Sequence, residues 1–590
     1  MHDKASAAFT AALTRRDLLR RVAAFGASAA VTGLLAACGG GGGSQATPTM
    51  ASGGAATQAP SGGTTGNTPA ATTGTPTTAA PAANRPTLRY GVYAADIQTV
   101  DPHYSAATQD RNIVDMVYNG LIRYKPGSSD EFEPDLAEAL PEPQMENGKQ
   151  VWVVKIRKGV MWHPSPKTDA YEVTADDVVF SFQKAADAKR SGYSGDYQGI
   201  TVQKVDDYTV KFILDQPLSK TLFYPKIANY QGGFIMSKKA VEALGLDAMK
   251  TTPVGTGPFQ LKSYTPKGQM ELVANDKYFR GAPKLAGVLI RFMPDASSRE
   301  LALRTGEMDV ISGIPDSTWV KRINQEQNLQ ADVFGVGESI VIHLNMSKPP
   351  LDDLRVRQAI FYAIDRDAHA GVFGGPPVAE LVYSAVPAQL MPGGLTKDEA
   401  QAAGVLYGKD INKAKQLLQS AGVSNLTLEC VTSEREDYRK TFEVLQQELA
   451  AIGIQLKLNV VDHSTYHSLI RQDKNPIVVY VAFRPNADVI LTQFYLSSSI
   501  VVTGKSPITN FSHYDKIDDL ILQARTEQDP NKQAQLWKQA NIKILQDCVA
   551  YPLCFANQVV GRSKAVDYGH PLKAVLNLYP SFTEQTTVKR

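Results

Sequence analysis

Residues 39–83 consist almost wholly of Gly, Ala, Ser, Thr, Pro, Gln and Asn, and Met50 is their one large apolar side chain. Such a tract cannot bury enough apolar surface to offset the conformational entropy lost on ordering it, so its composition predicts a disordered spacer. Any packed core must lie beyond it, and whatever precedes it must act as a short segment of its own. At about 5 to 6 Å times the square root of length, the 45 residues would separate the spacer's ends by about 35 to 40 Å on average.

The preceding segment, residues 13–38, places Arg15, Arg16, Arg20 and Arg21 ahead of an apolar run that is interrupted by Gly26, Thr32 and Gly33. Its basic head can hold an anionic membrane face, and the run suits a signal-peptide core better than a permanent span. Residues 14–20 resemble a bacterial twin-arginine export motif, with Leu18 where that motif usually has Phe, and Leu35, Ala36, Ala37 and Cys38 resemble a lipobox. The resemblance implies that residues 1–37 are a signal peptide for export of an already folded protein, that Cys38 is lipidated, and that residues 38–84 form the lipidated linker. Stable anchoring takes more than one acyl chain, because each buried methylene contributes only about 0.8 kcal/mol.

Of the 590 residues, 553 follow the signal segment, more than one ordinary core accommodates, and two or three domains are expected. The chain is formally +2, and its first 37 residues hold five basic and two acidic side chains, so the remainder is −1. No basic excess marks a nucleic-acid surface, and nucleic acid is not an expected partner. The body reads as a soluble globule, expected to be a monomer, with no second membrane segment. Beyond Cys38 lie Cys430, Cys548 and Cys554, which allow one disulfide and a free thiol or three buried thiols. No His stands at the short spacing of a structural zinc site, and neither a metal nor another cofactor is expected.

Alternation predicts strands at 87–91, 151–156, 287–292 and 308–312, with a helix at 110–118. Thr174 followed by Asp177 suits a capping interaction, and Val178, Val179, Phe182, Ala185 and Ala186 share one face of the helix it starts. Residues 205–214 have an edge-hairpin pattern. The glycine-rich bend at 255–259 lacks the Gly-Lys-Ser/Thr of a nucleotide loop. A helix at 297–305 should end at Gly306.

A second unit starts at Asn345. Asp352 or Asp353 caps a helix whose apolar face includes Val356, Ala359 and Ile360, and Arg355, Arg357 and Arg366 are expected on the solvated side. Residues 374–394 read as a long loop and 411–421 as a helix ended by Gly422. The run 426–431, 434–451, 454–461 reads strand, helix, strand, for which a right-handed crossover between parallel strands is the natural arrangement. Tyr438, Phe442, Leu445 and Leu449 are the side of that helix packed on the sheet. A buried strand at 476–483, helices at 514–526 and 531–546, and a strand at 548–560 follow.

From residue 85 to the end, these motifs resemble the extracellular solute-binding proteins of ABC importers in the oligopeptide, dipeptide and nickel-binding family. The resemblance rests on VTADDVVFSF at 173–182, VGTGPF at 254–259, LDDLRVRQAIFYAIDRD at 351–367 and DINKAKQLLQSAG at 410–422. It implies an α/β, two-lobed periplasmic-binding-protein-like fold of type II, in the large cluster with an extra subdomain, its lobes joined by two crossover strands. On that pattern lobe one spans 85–343 with the inserted subdomain, lobe two spans 344–554, and 555–590 return to lobe one. The implied partners are a peptide or other small organic solute, ABC permease subunits with their ATPase, and the outer face of the cell membrane.

Family peptide binders commonly carry an Asp for the ligand's amino terminus where this chain reads YVAFRPNAD at 480–488, and Phe483 takes that position. Arg484, next in line, suits a carboxylate or phosphate through a bidentate charge-assisted bond, with a solvated rim position as its alternative. Phe483, Asn486, Asp488 and Tyr495 are further candidates on lobe two, and Tyr104, Trp162 and His163 on lobe one. Trp162 serves equally as core, and His163-Pro164 departs from the family's His-Asp-Gly. No catalytic residues are assigned. Neither a Gly-x-Ser-x-Gly elbow nor a His-Glu-x-x-His site is present, which leaves a secreted hydrolase as a remote reading beside a sensor or chaperone-like surface lipoprotein.

Overall fold

The computed structural model describes residues 85–574, 576 and 579–589. The signal segment, Cys38 and the spacer lie outside the described residues. Nine strands form the main sheet: β1 (Thr87–Val92), β2 (Phe259–Thr265), β3 (Gln269–Ala274), β4 (Gly287–Phe292), β5 (Val310–Ser312), β6 (Leu329–Leu344), β7 (Ala379–Leu381), β8 (Ile477–Ala482) and β9 (Ala550–Ser563). Their order is β8-β6-β9-β5-β1-β4-β3-β2, and β7 pairs with β9.

The chain has two lobes because β6 and β9 are long enough to belong to both. They run antiparallel from Leu329 against Ser563 to His343 against Ala550, with register shifts between Phe334 and Glu338 and between Ile340 and Val341. At one end, Phe334 and Val560 join the core around Tyr90, Ile290 and Val310. At the other, Ile340, Ile342, Tyr551 and Leu553 join a separate core with Phe361, Phe442 and Trp537. Irregular pairing sits between the two, where a ladder interrupted by extra residues bends most readily.

In the first lobe, β1 pairs in parallel with both β4 and β5. Leu88, Tyr90 and Val92 turn one buried face to the core and are matched by Val288, Ile290 and Phe292. A four-stranded antiparallel sheet of Pro143–Glu146, Lys149–Lys155, Thr209–Leu214 and Ile200–Asp206 builds its own core, where Trp152 stacks on Phe223 with ring centroids 4.2 Å apart. The predicted edge hairpin is part of this sheet, but its second strand is interior and only Ile200–Asp206 forms the edge. The helix Ala175–Ala186 starts as its sequence requires: the Thr174 N–H donates to Asp177 Oδ2 at 3.1 Å. The helix Ala296–Arg304 is followed by Gly306 at φ 73°, a left-handed position that favours glycine.

In the second lobe, Thr427–Ser433 and Gln455–Val461 pair in parallel, connected by the helix Glu436–Ala451. Its Tyr438, Phe442, Leu445 and Leu449 are all buried. Burying each such side chain is worth about 1.5–3 kcal/mol, enough to fix which face of the helix meets the strands. Cys430, Cys548 and Cys554 are buried free thiols, so no disulfide forms among them.

Three expectations are corrected. Arg355 is exposed as predicted, but Arg357 and Arg366 are buried, because backbone carbonyls take the place of solvent. Arg357 donates to the carbonyls of Leu351 (2.7 Å), Asp352 (3.0 Å) and Asp547 (2.9 Å). Arg366 donates to Tyr407 O (2.7 Å) and Pro552 O (3.1 Å), and its guanidinium lies 4.1 Å from the Tyr551 ring centroid. Second, the expected loop at 374–394 contains β7, which the edge of β9 recruits. Third, several helices were not anticipated, among them Ser317–Asn324, His463–Arg471 and Ala487–Tyr495.

Truncating Arg366→Ala leaves two buried carbonyls without donors and is expected to destabilise the protein by about 3 kcal/mol in urea unfolding. Arg355→Ala should leave the unfolding midpoint unchanged; equal effects of the two would refute the assignment. His343 is buried against Phe494, ring centroids 5.4 Å apart, and burial pushes its pKa down to about 3. Its folded pKa is below that of the unfolded chain, so its stabilising contribution is present above about pH 6.5 and is lost as pH falls toward 3. His343→Phe should therefore reduce the stability lost between pH 7.5 and pH 5.0 by about 2 kcal/mol, measured by urea titration at both values.

Candidate functional site

Between the lobes lies a cavity of about 870 Å³. Tyr124, Phe132 and Tyr224 line it from the first lobe, Phe555 from β9, and Asn486 and Trp537 from the second lobe. Its size falls within the usual range for a site that encloses a small organic ligand. Trp537 Nε1 and Asn557 Oδ1, on two of its wall residues, are buried with no partner among the described residues. The wall therefore combines aromatic surface with unused hydrogen-bonding capacity.

Arg484 follows the end of β8 and is half-buried. Its Nη1 donates to Phe483 O at 2.7 Å and its Nε to Gln493 Oε1, and its guanidinium lies 5.3 Å from the Phe494 ring centroid. It lines a second cavity of only about 20 Å³, together with Ser339, Tyr480 and Tyr495, room for about one water. Burial lowers its pKa, and Tyr480 and Tyr230 act in the opposite direction. No carboxylate pairs with it among the described residues.

Its neighbours divide into contact and support. Phe483 packs against the core of the four-stranded sheet in the first lobe, so it bridges the lobes. Asn486 caps the helix Ala487–Tyr495, its Oδ1 accepting the Val489 N–H at 3.0 Å. Asp488 pairs with Arg525 at 3.2 Å, and burial raises its carboxyl above the usual range despite that partner. Tyr495 is 1% exposed.

On the first lobe, Tyr104 is 40% exposed and donates its hydroxyl to Lys189 O at 2.8 Å. Trp162 and His163 are core side chains. Trp162 Nε1 donates to Asp177 Oδ2 at 3.2 Å, bracing the helix cap, and Asp177 also accepts the Tyr171 hydroxyl at 2.7 Å. His163 Nε2 donates to Gly257 O at 3.0 Å, and burial pushes its pKa down to about 4, so it is neutral at pH 7. The pair fastens the glycine-rich bend and the capped helix to one core.

Sequence reasoning did not single out Arg111, Tyr230 or Glu338. Arg111 sits on the helix Thr108–Val117, with its guanidinium 5.6 Å from the Tyr230 ring centroid. Tyr230 is within electrostatic reach of both Arg111 and Arg484, and so joins residues 373 positions apart in the chain. Glu338 lies at the register shift in β6; it is open to solvent, yet desolvation raises its carboxyl pKa while Arg435 and Arg484 lower it. No local pattern signals Arg111 and Tyr230, because residues far apart in the chain meet only through packing. Among the described residues no group of three or more His, Cys, Asp and Glu is placed to hold a metal, and no helix is long and apolar enough to cross a membrane.

The sequence model of the bacterial extracellular solute-binding proteins, family 5 (Middle), matches residues 131–501. The dipeptide-binding protein of Escherichia coli K12 is 30% identical over 468 residues, 74% of this chain and 83% of the relative. Heme-binding protein A of Haemophilus influenzae is 27% identical over 473 residues, 74% and 80% of the two chains. The solved structure of MoaA from A. tumefaciens R10, in complex with mannopinic acid, is 38% identical with a TM-score of 0.70, covering 86% of this chain and 100% of the other. With two lobes, a cleft between them and this length of matched sequence, the chain belongs to the bacterial extracellular solute-binding proteins, family 5.

Proposed function

We propose that this protein is the substrate-binding lipoprotein of an ABC importer, which captures a peptide or a related small organic solute outside the membrane and delivers it to the permease and its ATPase. The observation that carries the reading is the 870 Å³ cavity, walled by both lobes and spanned by the paired strands β6 and β9. A solute held there touches both lobes at once, so it favours whichever arrangement brings them together. Binding and closure then constitute the whole activity, without a chemical step. We take lobe one as 85–343 with 555–590 and lobe two as 344–554.

The relatives' solutes, a dipeptide, heme and mannopinic acid, leave the cargo class open within the family. Phe483 in place of an amine-binding carboxylate argues against anchoring a peptide by its amino terminus in the usual way; Arg484, whose planar fork suits an acidic group, lines the neighbouring small cavity and not the large one. Asn486 lines the cavity directly, and Asp488 with Arg525 supports the helix that presents it. Lipid on Cys38 and the 39–83 spacer would hold the body near the membrane within reach of its permease.

Three measurements test this. Mass spectrometry of solute released by denaturing the purified protein should identify one small organic compound, whose titration raises the unfolding temperature. Deletion of the gene should abolish its uptake, and retention of full uptake would favour a sensor. Cys38→Ser should move the protein from the membrane fraction to the soluble fraction and abolish incorporation of labelled fatty acid. Unchanged membrane retention would refute the anchor.

A further inference from the structure

The helix His463–Arg471 carries two histidines one turn apart, His463 and His467, and neither lines the cavity between the lobes. Residues four apart on a helix share a face. Here the two rings meet, with their Nε2 atoms 3.2 Å apart and their planes at 85°. Tyr438 packs on both rings, at centroid distances of 5.2 and 6.0 Å, and Tyr466 and Tyr480 each lie 5.5 Å from His467, so neighbouring rings fix the orientation of the pair. The pair stands at the carboxyl ends of two parallel strands: His463 comes just after Gln455–Val461, and its partner Ser433 is the last residue of Thr427–Ser433. That end of an α/β layer is where such folds place their ligands.

The hydrogen bonds define which nitrogens are free. Arg471 Nη1 can only donate, so His467 Nδ1 accepts from it at 3.3 Å and the ring proton of neutral His467 is on Nε2. That proton faces His463 Nε2, whose own ring proton is therefore on Nδ1, 3.0 Å from Ser433 Oγ. Burial lowers the pKa of both histidines, that of His467 to about 4, so both are uncharged at neutral pH. A single proton thus separates two nitrogen lone pairs. The charges around them leave room for a cation. Arg435 is paired with Asp437 at 2.6 Å, Glu434 and Asp462 act on His463 with the opposite sign to Arg435, and Arg471 has further acceptors in His467 O (2.9 Å) and the Tyr480 hydroxyl (3.0 Å).

We propose that His463 and His467 form a site for one divalent transition-metal ion of the zinc class, held by the two Nε2 atoms in place of the proton they share, with its other positions open to water. Two nitrogens at about 2.0–2.1 Å from a tetrahedral ion stand about 3.3 Å apart, against 3.2 Å here. Imidazole suits zinc, nickel and copper, whereas magnesium and calcium take oxygen ligands. The Ser433 hydroxyl holds the His463 tautomer that leaves Nε2 bare, the service that an outer hydrogen-bond partner performs for a metal-bound histidine. Binding releases no net proton: the His467 proton leaves Nε2 for the ion and is replaced by one on Nδ1, and Arg471, which occupies Nδ1 in the free protein, turns to its other acceptors. Arg471 is therefore a brake on the site. The proposal goes beyond solute capture and does not depend on what the cleft holds.

The test is calorimetric titration of the chelator-treated full protein with zinc chloride at neutral pH. One site should appear, magnesium chloride should not compete for it, and zinc should raise the unfolding temperature. Ser433→Ala should weaken zinc binding by about 10-fold, the lower end of the usual loss for an outer partner, and His463→Gln and His467→Gln should each weaken it further. Arg471→Met should tighten zinc binding, an effect that a merely structural arginine does not produce and that remains readable if a glutamine variant fails to fold. No zinc binding by the parent, binding that survives unchanged in the double variant His463→Gln/His467→Gln, or an Arg471→Met variant that binds zinc no more tightly than the parent overturns the site.

Discussion

The antiparallel pairing of β6 with β9 holds two separately cored lobes in one molecule, and most of what the protein does depends on how that ladder is interrupted. At its ends the pairing is regular and each strand contributes side chains to a different core. In the middle, register shifts on either side of Glu338 and Ser339 relax the ladder where it crosses between the lobes. A continuous ladder would lock the lobes together, and a flexible tether would lose the alignment of their facing walls. A paired but irregular crossing permits bending about a narrow region while preserving which residues face each other.

Arginine is tied into the second lobe through its acceptors. Arg357 and Arg366 are deeply buried, but each is surrounded by carbonyl oxygens and acts as a fastener between helices, strands and loops of the second lobe. Arg484 is half-buried and also has acceptors, Phe483 O and Gln493 Oε1, with the Phe494 ring beside its guanidinium. Hydrogen-bond inventory, and not burial alone, shows how a buried cation is tied into the fold. Trp162 and His163 illustrate the same criterion: their polar atoms Nε1 and Nε2 are already engaged with Asp177 and Gly257, which assigns them to the scaffold.

Local chemistry accounts for the elements that were legible. Tyr438, Phe442, Leu445 and Leu449 could be read as one buried face because helical spacing alone puts them there, and Thr174 with Asp177 announced a helix start through a contact three residues long. Where a distant partner decides the outcome, the reading failed. Strand β7 exists because β9 offers an edge to pair with, and the buried state of Arg366 depends on carbonyls at Tyr407 and Pro552. The helix Ala487–Tyr495 begins at Asn486, a residue singled out only as a ligand contact, whose side chain caps the helix while the residue lines the cavity.

The amino-acid sequence by itself determined the family, the capped start at Thr174, the buried face of the helix Glu436–Ala451 and the presence of Arg484 beside Phe483, because each is set by residues close together or by motifs carried intact. Only the tertiary structure decided that β6 and β9 join both cores, that β7 pairs with β9, and that Trp162 and His163 are buried and hydrogen-bonded within the first lobe. The physical reason is distance along the chain. A cleft is made by surfaces that meet after two cores have formed, so the residues that line it are joined by no local pattern.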